Sequence, residues 1–299
     1  MTKSGIYWLA SYPKSGNTWM RLFIANLNGE EENPVDINEL QTGSIASARG
    51  WIDAVLEFDI GALSHDEIDQ LRPAVYHWSA THTEVLEYHK IHDAYTRLAD
   101  GRELIPAEVT RGALYLIRNP LDVAISFAHH SNCSIEKVIN NMSNAEFAFC
   151  AGNKRFHNQL RQWLLSWSDH VLSWVDAEHI NRLVIRYEDM VEQPLTTFTS
   201  VAKFLELTTD ETSIKQALEH CAIKNLQQQE QDKGFKEKMA KSAKFFRKGK
   251  VGDWQETLSP TQIQRIVSDH FQVMQRFGYL DARGQPLVRP LVSHQTIPS

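Results

Sequence analysis

Nine residues, Ser11-Tyr12-Pro13-Lys14-Ser15-Gly16-Asn17-Thr18-Trp19, constrain this chain more than any others. The apolar run 6–10 leads in and the amphipathic run 20–27 leads out. That order predicts a strand, a tight polar loop, and a helix opening near Asn17. Such a loop turns backbone N–H groups toward one point at the positive end of the helix, which makes an anion site. Lys14 adds a mobile point charge, and Ser15, Asn17 and Thr18 add side-chain donors. Trp19 adds a flat face on which a base can stack. A nucleotide with its phosphates in the loop fits these features. The familiar triphosphate loop does not, because its lysine follows the second glycine, whereas Lys14 precedes Gly16. Taken alone, the stretch also suits a polar loop that caps a helix.

Further along, strand-like runs alternate with helical ones. Strands are predicted at 85–91, 112–117 and 183–185, the middle one a continuous apolar run that reads as buried. After it, Asn119 suits an N-cap, Pro120 the first helical position and Asp122 the third. Apolar spacing through Leu160, Trp163, Leu164, Trp167, Val171 and Trp174 predicts a long helix over about 155–175, with its tryptophans in the core. Helices are predicted near 194–206, 211–222 and 260–277, the last opened by Ser259-Pro260. Residues 29–75 read as loops and short helices, 97–110 as a connection, and the polar run 227–231 as loop.

Strands separated by helices imply an α/β domain with a mostly parallel central sheet flanked by helices. Ligands of such sheets bind beyond the carboxyl ends of the strands. Lys14, His92, Arg118 and Tyr187 each follow a predicted strand, so they are expected to meet at one edge of the sheet.

Composition sets the outer bounds. The 299 residues suffice for one large domain, and a formal net charge of −6 disfavours broad nucleic-acid binding while allowing a local basic pocket. Three widely spaced cysteines, Cys133, Cys150 and Cys221, form neither a metal-ligand pattern nor a disulfide framework. That suits a reducing compartment. The five-residue apolar run near the N-terminus is too short for a signal peptide, and no run is long enough to cross a bilayer. A cytoplasmic protein without membrane insertion is expected.

Two more motifs join the first. In Arg118-Asn119-Pro120-Leu121-Asp122-Val123-Ala124-Ile125-Ser126, Asn119 and Ser126 fall on one helix face two turns apart, and Arg118 and Ser126 could grip one phosphate. Phe245-Phe246-Arg247-Lys248-Gly249-Lys250-Val251-Gly252-Asp253-Trp254 combines aromatics, a basic cluster and glycines in a phosphate-seeking loop. Each has a plainer reading, as a helix start with an exposed arginine and as a solvated basic face.

In this order the three motifs resemble those of the cytosolic-type sulfotransferase family, over residues 6 to about 278. These enzymes use 3′-phosphoadenosine 5′-phosphosulfate (PAPS) and release PAP. The resemblance implies one sulfotransferase domain over 1–299, with 29–80 and 226–246 as acceptor-side insertions or loops. It implies a P-loop-like strand–loop–helix in which Ser15, Gly16, Asn17 and Thr18 hold the 5′-phosphate and Lys14 contacts the bridging oxygen. Trp19 would stack on adenine, with Tyr187 at the base and Phe245 or Phe246 near the adenosine. Arg118 and Ser126 would bind the 3′-phosphate, joined by Arg247, Lys248 and Gly249.

The family's catalytic histidine stands in a Lys-Thr-His motif, matched here by Lys90-Ile91-His92 with isoleucine in place of threonine. His82 and His89 compete for the role. His92 would remove the acceptor's proton, and Lys14 and Lys90 would offset developing charge without a metal. The stretch 255–264 lacks the lysine, the Thr-Val pair and the glutamate of the family's dimer motif, which leaves monomer or homodimer open. Two rivals remain. A kinase or ATPase would need a magnesium-binding acid such as Glu188 or Asp189, and a non-catalytic nucleotide module would need neither Lys14 nor His92. The acceptor is expected to be a small molecule with a hydroxyl or amine, bound among 29–80, 129–149 and 226–246. Trp51, Phe58, Trp78, Phe127 and Phe147 could line its pocket or be ordinary core.

Overall fold

The computed structural model describes residues 4–29, 33–40, 42–152, 157–238, 244–247 and 249–291. Lys248 therefore lies outside the described residues. In chain order the elements are β1 (Gly5–Ser11), α1 (Asn17–Asn28), α2 (Arg49–Leu56), α3 (His65–Thr81), β2 (Leu86–Ile91) and β3 (Thr110–Ile117). Then follow α4 (Pro120–Ser131), α5 (Ile135–Met142), the short β4 (Ala148–Phe149) and β5 (Gln162–Trp163), α6 (Trp167–Val175) and β6 (Arg182–Arg186). The chain continues through α7 (Tyr187–Glu192), α8 (Pro194–Phe204), α9 (Glu211–His220), α10 (Ile223–Lys233), α11 (Trp254–Thr257) and α12 (Pro260–Arg276).

The main sheet has the order β2-β1-β3-β6, and every pairing in it is parallel. Strand pleating sends alternate residues to opposite faces, and the two cores follow that alternation. Ile6, Trp8, Ala113 and Tyr115 pack with residues of α3, α4, α6 and α12. Tyr7, Leu9, Leu114 and Leu116 pack with residues of α1, α8 and α9. Helices thus cover both faces, as the continuous apolar strands require. From β1 the chain moves to one neighbour, β2, and then returns to the other, β3. The crevice beyond the ends of β1 and β3 is consequently a topological switch point.

Three expectations need correction. The helix over 155–175 is only α6, which begins after Ser166, whose side chain accepts from Asp169 N. Leu160 and Leu164 are buried as their spacing suggested, but in extended chain that docks on the core. Residues 227–231 are helical, within α10, and not loop. The stretch 29–75 contains the start of a 17-residue helix, α3, opened by a reciprocal Ser64–Glu67 capping box and carrying Pro73 inside it.

Candidate active site

The β1–α1 loop is shaped by two residues in the left-handed region, Lys14 at φ 72° and Gly16 at φ 100°. A Cβ on Gly16 would lie 2.8 Å from Tyr187 Cδ2, so only glycine fits against that ring. Gly16 is also the N-cap of α1 and offers no side-chain cap. The first N–H groups of a 12-residue helix therefore lack intrahelical partners. Asn17 lines the cavity and also holds the loop. Its Nδ2 donates to Leu9 O at 2.7 Å and to Ser11 Oγ at 3.2 Å, bracing the loop from within. Its Oδ1 has no partner, and of its donors the backbone N–H remains for a ligand.

Arg118 follows β3 and reaches across the crevice. Its Nη1 donates to Lys14 O at 3.1 Å, and its guanidinium lies 4.2 Å from the Tyr187 ring centre. Asn119 caps α4 through Leu121 N as expected. Asp122 does more than favour the helix dipole. Its carboxylate accepts from Gly252 N at 2.8 Å and Trp254 N at 3.1 Å, which pins the C-terminal basic loop beside Arg118. In that loop Arg247 pairs with Asp253 at 2.6 Å. Residues of α10 hold its other end. Glu230 accepts from Phe245 N and Phe246 N at 2.7 and 2.9 Å, and Gln227 donates to Phe246 O and Arg247 O. The polar run that reads as loop in the sequence is thus the anchor of the loop that follows.

His92 follows β2. Its Nδ1 lies 2.8 Å from Ser11 O, and a carbonyl can only accept, so Nδ1 carries the hydrogen and Nε2 the lone pair. Burial, then the nearby charge of Lys90, holds its pKa well below the usual histidine value. That shift favours the neutral imidazole, with the lone pair on Nε2. Behind it, the Tyr115 hydroxyl and His170 Nδ1 are 2.8 Å apart and His170 Nε2 is 3.0 Å from His92 O. His170 thus fixes the backbone of His92 from the core side. The two competing histidines are placed elsewhere. His89 stacks on Trp51 at 4.2 Å and bonds Ser44 O, and His82 stacks on Trp78 at the surface.

These groups surround one cavity of about 1220 Å³. A single small-ligand pocket spans roughly 300–1,000 Å³, so there is room for more than one ligand. Lys14, Gly16, Thr18, Trp19, His92, Arg118, Ser126, Tyr187, Phe245, Phe246, Arg247 and Gly249 all line it. Among its described lining residues are eight lysines and arginines but one carboxylate, Glu237. A protein of net charge −6 thus carries a strongly cationic interior site. Burial, then the charges of Lys90 and Arg118, lowers the Lys14 ammonium to about 7. Its Nζ sits 4.2 Å from the Phe245 ring centre. Ser15 Oγ, Trp19 Nε1 and Arg118 Nε are buried in this region without partners. A ligand rich in oxygen acceptors suits such a set.

Sequence reading missed Glu237, which binds both Arg21 and Lys90. No motif marks it, and only the fold brings residues 21, 90 and 237 together. Of the two readings open for the five aromatics, three residues take the core one. Trp51 and Phe147 pack against the core, Phe127 lies within it, and Phe58 and Trp78 are exposed. Glu188 and Asp189, the acids available to a magnesium-dependent kinase, are engaged elsewhere. Glu188 accepts from Asn119 N and the Tyr279 hydroxyl, both at 3.0 Å, and burial raises it to about 7. Asp189 is paired with Arg186 at 2.8 Å. Among the described residues no three His, Cys, Asp or Glu side chains are grouped as metal ligands. None of the described helices is long and apolar enough to cross a membrane.

A doubly wound α/β sheet with a cationic cavity at its switch point defines a protein that binds an anionic ligand beyond its strand ends. The chain belongs to the sulfotransferase domain family, whose model matches residues 6–278. By that membership it is an enzyme of the PAPS-dependent sulfotransferase class. It is similar to cytosolic sulfotransferase 1 of Arabidopsis thaliana, 28% identical, with 86% of this chain and 75% of the relative covered. Cytosolic sulfotransferase 17 of the same plant is 24% identical, over 93% and 76%. The fold is shared with mouse sulfotransferase SULT7A1, solved in complex with PAP, at a TM-score of 0.58 and 16% identity, covering 91% of this chain and 84% of that one.

Proposed function

We propose that this cavity holds PAPS across the ends of β1 and β3 and presents its sulfuryl group to a hydroxyl or amine of a small-molecule acceptor beside His92. The observation that carries the reading is the pair of unpartnered buried donors Trp19 Nε1 and Arg118 Nε, on residues that line a cationic cavity with Lys14, and the unpartnered Ser15 Oγ in the loop next to Lys14. Backbone N–H groups at 15–18 and the Thr18 hydroxyl would hold the 5′-phosphate. Arg118, Ser126, Arg247, Lys248 and Gly249 would hold the 3′-phosphate. Trp19, Tyr187, Phe245 and Phe246 would enclose the adenosine.

When bound, PAPS supplies the sulfuryl group and a phosphate leaving group. The chain's own residues position, neutralise charge and move one proton. His92 Nε2 takes the proton of the attacking group, with Nδ1–H held on Ser11 O. Lys14 and Lys90 stabilise negative charge in an enclosed site where each interaction is stronger than in water. The names of the plant relatives accord with a cytoplasmic setting.

Calorimetric titration with PAP, followed by labelled PAPS with an acceptor panel, tests this. PAP is expected to bind, and His92→Ala to lose roughly 10²–10⁴-fold in turnover while PAP affinity holds. Near-normal turnover by that variant removes His92 from the role, and absence of PAP binding overturns the whole reading.

A further inference from the structure

We infer that Gln162 recognises the acceptor, and that the acceptor is a polar molecule with a second hydrogen-bond donor, a hydroxyl or amine, besides the group that is sulfated. This rests on the donor reading above and adds the acceptor's class to it. The sheet order divides the cavity. The residues assigned to the nucleotide lie at the ends of β1, β3 and β6, on α4 and in the C-terminal basic loop, so the acceptor is left with the wall beside β2. Residues 42–46 run along that strand, through Gly43 N to Tyr88 O and Ala46 N to Lys90 O, at 2.9 and 2.8 Å. Leu160 N donates to Ser47 O at 2.7 Å, which extends the same wall to Gln159 and Gln162.

Gln162 is 1% exposed and lines the cavity. Its Nε2 donates to Gln159 Oε1 at 3.0 Å, and its Oε1 has no partner. A buried carbonyl oxygen left in this way favours a ligand that donates to it. The surrounding frame is stiff. Arg72, fully buried, binds both oxygens of Asp93 at 3.1 and 2.7 Å and donates to Arg161 O at 3.1 Å. On the other side of Gln162, Trp163 N donates to Asp93 Oδ1 and Trp163 O accepts from Ala94 N. The backbone flanking Gln162 is therefore tied to the two residues that follow His92. Gln162 Oε1 is thus a preorganised acceptor oxygen on the cavity that His92 also lines.

The rest of the wall is mixed. Trp51 and Phe127 are absent from the cavity lining, and Thr42, Ser44 and His157 are present, while Ile45, Phe149, the strand partner of Gln162, and Cys150 supply an apolar surface around the polar groups. An apolar acceptor would bury Gln162 Oε1 unpaired, and sites built to bind a hydroxyl reject analogues that lack it.

Matched acceptors test the inference: 4-hydroxybenzyl alcohol against 4-ethylphenol, and 1,4-butanediol against 1-pentanol. Each pair is measured twice, as kcat/KM with PAPS and as binding to the PAP-loaded protein by calorimetry. The member with the second hydroxyl is expected to win in at least one pair by about tenfold or more. Gln162→Leu should bring that preference to within about twofold with PAP affinity unchanged, and Gln162→Glu should keep the preference while its added charge weakens PAP at low salt. If PAP binds but the apolar members win, neither member binds, or Gln162→Leu keeps the preference, the inference falls and the donor reading stands. If PAP does not bind the wild-type protein, the donor reading fails, and this inference falls with it.

Discussion

Lys90 Nζ lies 3.1 Å from Glu237 Oε2, and Arg21 Nη1 lies 2.5 Å from the other oxygen of the same carboxylate. Burial alone would raise the Glu237 carboxyl, but the two cations overcome this and lower it to about 2. Glu237 is the sole carboxylate among the described residues lining a cavity proposed to bind a polyanion. Glu237→Gln should tighten PAP binding by up to about tenfold at low salt, with the gain shrinking at high salt. It should also cost about 1–3 kcal/mol of stability, because two largely buried cations lose their charged partner. Calorimetry at two salt concentrations and a denaturant midpoint measure both effects. Unchanged affinity at low salt would argue against field-driven binding.

Lys14 supplies a second test. With only protein groups around it, its ammonium sits at about 7, lowered by burial and then by Lys90 and Arg118. A bound phosphate returns negative charge and raises that value. Above pH 7 the complex then holds more protons than the free protein, so binding takes up a proton and PAP affinity falls as pH rises from 7 to 9. Titrations at pH 8 in buffers of different ionisation enthalpy should show an uptake approaching one proton. Lys14→Met should abolish it.

Arg118 is proposed to read the 3′-phosphate. Arg118→Ala should weaken PAP by about 10–100-fold, the worth of charge-assisted hydrogen bonds. Adenosine 5′-phosphosulfate, which lacks the 3′-phosphate, should lose far less. Equal losses for both nucleotides would place Arg118 in a purely structural role, which its bond to Lys14 O could also fill.

The elements that the sequence made legible are those written locally. The strand–loop–helix at 5–28 and the Asn119-Pro120 helix start carry their signals within a few residues, and the structure places them there. Convergence of Lys14, His92, Arg118 and Tyr187 was legible too, because a parallel sheet puts every strand end on one side. Distant pairings were not legible. The apolar spacing over 160–167 mimics a helix, but Arg72 and Asp93 hold that backbone extended from far along the chain. Gln227 and Glu230 show no apolar period, and their helix faces a loop they anchor through hydrogen bonds. Gln162 and Glu237 belong to no motif, and their importance comes only from what the fold sets beside them.

His92 gives the last test, since its titration is shifted by identifiable groups. Burial lowers its pKa first and the charge of Lys90 second, while its bond to Ser11 O opposes both. A base acts when neutral, so its activity is lost only as pH falls through this lowered value. The acid limb of kcat/KM is therefore expected below the ordinary histidine pKa of about 6.5. Lys90→Met removes a neighbouring positive charge that disfavours protonation, so His92 should rise and the acid limb should move toward neutral pH. The variant should also lose maximal rate, because Lys90 no longer offsets charge at the reacting group. A pH–rate profile separates the two effects: the first moves the limb and the second lowers the plateau. A lowered plateau with an unmoved limb would mean that the group titrating in the rate is not His92.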